Sequence, residues 1–164
     1  FRSLNTMLSE PRSFFSKLPI DLGFKKSLGF LIVSSSFFTG ASVVSSMPAH
    51  PFHLGSIFFI NAVGMAIIAS SLGYMVMVMF MGRAATFKKL FAIYALSWGL
   101  TLMVSWIPYC IWITEPWKWV LIAVGLVKGC GLRWFQAVMV IGISIFVLVL
   151  FFWSLGPVIV YVRG

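Results

Sequence analysis

The chain has 164 residues, 61% hydrophobic and 9% charged, with a formal net charge of +9 and a mean hydropathy of +1.06. Soluble domains carry roughly 25% charged residues, so this composition excludes an ordinary water-soluble fold. The excess of twelve Lys and Arg over three acids does not indicate nucleic acid, because the cations are scattered among lipid-length apolar runs rather than gathered on one basic face. Anionic lipid headgroups are their expected counter-charge.

Residues 1–27 precede the first long apolar run. Between Arg2 and Asp21, Leu4, Met7, Leu8, Phe14, Phe15 and Leu18 interleave with Arg, Ser, Asn, Glu and Lys, a pattern that predicts an amphipathic helix lying in the headgroup plane. The stretch lacks an uninterrupted apolar core and does not read as a cleavable signal. Five apolar runs follow, over 28–47, 54–81, 90–113, 116–132 and 134–162. A membrane-spanning helix needs about 20 residues, so the expected fold is all-α, a polytopic helical bundle of five transmembrane helices.

The first run is rich in Ser and Gly, which predicts close packing against neighbouring helices. Pro48 and Pro51 end it. The second run is longer than a bilayer requires and must tilt or protrude. Within it Asn61, Gly64 and Gly73 fall at helical spacing, and a lone amide in such a setting is expected to hydrogen-bond across to another helix. The third run, carried to Ile113, is followed by the shortest, in which only 117–127 is strongly apolar; a thinned or broken crossing is one reading of it. Gly125 and Gly129 there make a GxxxG helix-contact spacing. Trp106, Tyr109, Trp112, Trp117 and Trp119 crowd the junction of the third and fourth runs, as amphipathic rings do at a membrane interface.

Charge sets the orientation. Ten of the twelve basic residues lie in alternate gaps: Arg2, Arg12, Lys17, Lys25 and Lys26 before the first run, Arg83, Lys88 and Lys89 after the second, Lys128 and Arg133 after the fourth. Lys and Arg resist translocation in short loops, so these gaps belong on the cytoplasmic side, with the N-terminus inside and the C-terminus outside. Cys110 and Cys130 then fall on opposite faces, which disfavours a disulfide.

The inventory of reactive groups is short. Glu10, Asp21 and Glu115 are the only acids, all expected outside the hydrocarbon core, and they offer no paired-carboxylate constellation. His50 and His53 share one loop without a nearby Asp, Glu or Cys to complete a metal shell, and no span carries a His for haem. No phosphate loop, dinucleotide fingerprint or nucleophile elbow is present. The expectation is therefore a non-enzyme without cofactor or metal.

Three passages in order, SEPRSFFSKLP before the first run, MGRAATFKKLFAIYALSWG in the gap after the second, and IPYCIW leading through a short fourth helix to VKGCGLRWFQAVMV, resemble the Yip family of integral membrane proteins that interact with Ypt and Rab GTPases. The likeness is to the prokaryotic branch. It implies five spans with a cytoplasmic N-terminus and a role in membrane organisation or traffic. On this reading Arg83, Phe87, Lys88 and Lys89 are the expected lipid or partner contact, and Asn61, Gly64, Gly73, Gly125 and Gly129 the expected helix-packing positions. The expected partners are membrane lipids and other membrane subunits or further copies of the chain, in a bacterial plasma membrane or alternatively a Golgi or ER membrane. An accessory subunit of a larger electron-transfer or transport assembly is the second reading. A channel or carrier built on Asn61, Gln136, Pro157 and a broken fourth helix is the third.

Overall fold

The computed structural model describes residues 24–46, 50–82, 85–105, 107 and 111–163, with backbone alone at 111, 151–152 and 154–163. The expected interfacial segment before Phe24 lies outside the described residues. The described chain is all-helical, in five helices: α1 (Phe24–Ser46), α2 (Pro51–Met81), α3 (Phe87–Ser105), α4 (Ile111–Cys130) and α5 (Trp134–Arg163). Helices α1, α2 and α3 are each long and apolar enough to cross a membrane. Their lengths of 23, 31 and 19 residues correspond to about 35, 46 and 28 Å at a rise of 1.5 Å per residue.

The boundaries between α3 and α4 differ from the sequence reading. The third run, expected to continue to Ile113, ends as a helix at Ser105. The fourth, expected over 116–132, is a 20-residue helix beginning at Ile111, with Pro116 inside it. Glycines mark two of the helix ends. Gly82 after α2 and Gly131 after α4 have φ of 69° and 72°, the left-handed region that closes a helix without a Cβ clash. The Leu132 N–H donates to the Leu126 carbonyl across Gly131 at 3.4 Å. At the start of α5 the Gln136 side chain turns back to accept the Arg133 N–H at 3.0 Å, half of a capping box. Gln136 is thereby occupied at a helix end.

Helix α3 is the hub. It packs on α1, α2 and α4, while α5 packs on α2 and α4. Every residue from Leu90 to Leu102 is buried. Yet α3 is the least hydropathic of the three long apolar helices, since its enclosed stretch includes Tyr94, Ser97, Trp98 and Thr101. The large apolar side chains instead stand outward on the other helices: Val33 and Val44 on α1, Ile60 and Met79 on α2, Ile113 on α4, Phe135 and Trp153 on α5. That distribution suits a bundle whose solvent is hydrocarbon, where outward faces must be apolar and the interior tolerates bonded polar groups. Thr101 bonds within its own helix to the Ser97 and Trp98 carbonyls and Ser144 to Val140, whereas the buried hydroxyls of Ser27, Ser34, Ser35, Thr39, Tyr94 and Ser97 have no hydrogen-bond partner among the described residues.

Contact is closest where a large side chain meets a glycine. A Cβ on Gly73 of α2 would stand 2.5 Å from the Tyr94 hydroxyl oxygen; on Gly99 of α3, 2.7 Å from the Phe30 ring; on Gly129 of α4, 2.9 Å from Ile93 Cδ1. Gly125 is buried as well. Gly64 is half-buried, with open space where its Cβ would be.

The Tyr94 ring is wholly buried and its hydroxyl has no hydrogen-bond partner among the described residues. Gly73→Ala should destabilise the fold by about 1–3 kcal/mol through overpacking. Tyr94→Phe should be neutral or slightly stabilising, because it removes an unmet polar group. The double variant Gly73→Ala/Tyr94→Phe should recover part of the loss, since the ring Cζ still stands 3.0 Å from the added Cβ, a non-additivity readable from thermal unfolding in detergent.

Candidate functional site

Two features at opposite ends of α3 organise the charged side chains. The first is a basic end. Phe24 at the start of α1 stacks on Phe91 at 4.6 Å, and Phe87 at the start of α3 meets Tyr74 of α2 edge-on at 5.4 Å. Gly129 near the end of α4 lies against Ile93. These contacts bring the first turns of α1 and α3 together with the last turn of α4 and the turn into α5. Lys25, Lys26, Lys88, Lys128 and Arg133 are all exposed there, with Lys89 half-buried among them.

Of the four residues expected to touch lipid or a partner, Lys88 is exposed and Lys89 half-buried. Phe87 is half-buried and packs between Tyr74 and Phe91, so part of its ring orders the end of the bundle. Arg83 lies outside the described residues. Asn61, expected to bond to a neighbouring helix, is exposed and makes no hydrogen bond among the described residues. Asn61 and Gln136 are not brought together: one lies on the outer face of α2, the other caps α5.

The second feature was not foreseen. Lys118, inside the expected fourth run at 116–132, sits within α4 with 7% of its side chain exposed. Its ammonium donates to both carboxylate oxygens of Glu115 at 2.7 Å and lies 4.0 Å from the centre of a Trp98 ring and 5.5 Å from Trp119. The two indoles meet edge to face at 6.1 Å and 83°. One turn away, Ser105 Oγ donates to Thr114 Oγ1 at 3.1 Å. Together these contacts fasten the C-terminal half of α3 to the start of α4.

The physical logic is charge compensation. An isolated buried ammonium is costly, and here a carboxylate takes two of its donors while indole faces supply a cation–π attraction of about 2 kcal/mol when desolvated. Glu115, at i, i+3 from Lys118, keeps 53% of its side chain exposed and reaches a shallow hollow formed with Trp112, Pro116 and Trp119. The spacing E-P-W-K-W was the available signal, since it puts acid, base and indole on one helical face. His50 and His53 are both exposed, and among the described residues no three His, Cys, Asp or Glu side chains converge on a possible metal position.

No family model matches the chain, and neither the curated proteins nor the solved structures give a match.

The ion pair predicts an asymmetry. Glu115→Gln leaves Lys118 buried without its counter-charge and should destabilise the protein by about 1–3 kcal/mol. Lys118→Met removes the buried charge, leaves a carboxylate that water can reach, and should cost less. Chemical or thermal unfolding followed by Trp fluorescence would rank the two.

Proposed function

We propose that this chain is a non-enzymatic integral membrane protein that crosses the bilayer five times, N-terminus cytoplasmic and C-terminus outside. It acts through helix, lipid and partner contacts, in the membrane-organising role that the Yip resemblance implies, and its home is a bacterial plasma membrane. The observation that carries this reading is the collection of six cations, Lys25, Lys26, Lys88, Lys89, Lys128 and Arg133, at one end of a bundle whose flanks are apolar. Basic residues at helix ends hold that end on the cytoplasmic leaflet and attract its anionic headgroups, each by roughly 1 kcal/mol.

The polar cluster at the other end supports a structural rather than a chemical role. Its acid and base neutralise one another, and the ammonium is held under indole rings instead of facing an open cleft. Helix α4, though it carries Glu115, Lys118 and Lys128, is long enough at 20 residues to span about 30 Å. With Lys118 paired and Lys128 in its last turn, the charges fall where a crossing helix accommodates them best.

Orientation is testable in a background with Cys110 and Cys130 replaced by Ala. An impermeant maleimide should label Thr86→Cys only from the cytoplasmic side and His53→Cys only from the outside; the reverse pattern, or labelling of both from one side, overturns five crossings in this sense. For the lipid contact, Arg83→Gln/Lys88→Gln/Lys89→Gln should lower retention of anionic over zwitterionic lipid about fivefold per residue, as read by native mass spectrometry. Unchanged retention removes the lipid-contact role.

A further inference from the structure

We infer that the outward face of α2 is a homodimer seam, with Asn61 of one copy hydrogen-bonded to Asn61 of a second across a twofold axis normal to the membrane. The inference rests on the membrane embedding proposed above. Asn61 is the tenth residue beyond Pro51 in a helix of 31, about 15 Å from one end and 30 Å from the other. A hydrocarbon layer of about 30 Å fitted anywhere along that length encloses Asn61 or meets it at its edge. Its side chain is exposed there, and it makes no hydrogen bond among the described residues. A carboxamide facing acyl chains has two donors and an acceptor with nothing to satisfy them.

The occupant follows from symmetry. Copies inserted by the same charge rule share one orientation, so two of them associate in parallel about an axis along the membrane normal. Every seam residue then faces its own counterpart at its own depth. The carboxamide is self-complementary, able to donate and accept in the same pair, so a second Asn61 is a partner guaranteed at the right level.

The surrounding pattern suits such a pair. Ile57, Asn61, Gly64, Ile68, Ser71 and Met75 follow alternating steps of four and three, the a/d repeat of a two-helix seam. A single Asn at an a position is the device that fixes register and oligomer state. Five of the six are exposed; the sixth, Gly64, has only open space at its missing Cβ, so a partner backbone can come close. The opposite side of α2, through Ala62, Ala66, Ala69, Gly73 and Val76, is already buried in the bundle. The helix therefore has one face used within the chain and one left for a second copy.

Neighbouring residues give a sharp test. Ile67 and Ile68 are almost equally exposed, at 41% and 43%, but only Ile68 lies in the seam; Ile67 is about 100° around the helix. In membranes, with Cys110 and Cys130 replaced by Ala, oxidative crosslinking of Ile68→Cys should give a covalent dimer and Ile67→Cys should not. Asn61→Leu, at an exposed position that should leave the fold's melting unchanged, is expected to weaken dimerisation about tenfold, and Asn61→Gln to retain it. Equal crosslinking at both positions, or a monomeric mass in mild detergent with no Ile68→Cys dimer in membranes while the sided labelling of Thr86→Cys and His53→Cys holds, overturns the seam. Loss of that sided labelling would overturn the five-crossing reading itself, and the parallel twofold with it.

Discussion

The enclosure of α3 is the constraint on which the remaining architecture depends. Hydrocarbon gives helices no hydrophobic reason to associate, because lipid tails solvate a leucine as well as another helix does. Association must come from shape and from polar groups that lipid cannot satisfy. Helix α3 supplies both. Its large side chains enter positions where the facing helix has no Cβ, Tyr94 at Gly73 and Ile93 at Gly129, and it accepts Phe30 of α1 at its own Gly99. Each of these fits brings a different helix onto α3. The order of packing around it follows from where the glycines fall in sequence.

The ends of the bundle are fixed by another mechanism. At the basic end, Phe24, Tyr74, Phe87 and Phe91 form a chain of ring contacts between 4.6 and 6.1 Å, and the cations project beyond it. Toward the other end, Trp98 and Trp119 meet over the Lys118 ammonium. Aromatic side chains serve both ends because a ring contributes apolar area with few rotamers to lose and, through its quadrupole, a weakly negative face for a cation. The two clusters differ in what they do with charge. One leaves its cations free to meet headgroups or water; the other binds its cation internally with a carboxylate and so removes it from solvent.

The five helices were legible in the sequence because apolar runs separated by basic or proline-bearing gaps leave few alternatives at this composition. The junction of α3 and α4 was not. Trp106 to Ile113 is apolar throughout except for Pro108, and hydropathy alone joins it to the preceding helix. Pro108, which disfavours helical geometry in the residue before it, was the signal for an earlier end. Misplacing that junction also hid the ion pair. With the fourth helix taken to start at 116, Glu115 and Lys118 belong to a loop and its margin; with a start at Ile111 they are one turn apart on a continuous helix. Among the expected packing positions, Gly73, Gly125 and Gly129 lie at buried or close contacts, whereas Gly64 and Asn61 do not. Small-residue spacing identifies a helix face that can be approached closely, and it carries no information on whether the approaching helix belongs to the same chain.

That distinction bears on how α2 is built. Its inner face is small and smooth where Tyr94 must enter, and its outer face is bulky except at Gly64 and Ser71. In water such a bulky apolar face would need a cover; in lipid it needs none, so exposed Ile and Met side chains are not by themselves a mark of association. A carboxamide is different, because acyl chains can bury a methyl group but cannot hydrogen-bond. Asn61, a larger polar group than the Ser71 hydroxyl on the same face, is therefore the feature of the outer face of α2 that lipid matches worst. The same property that makes polar groups rare in membrane spans makes a single one an effective determinant of where helices meet, since a displacement of one residue along the seam leaves both amides unmatched.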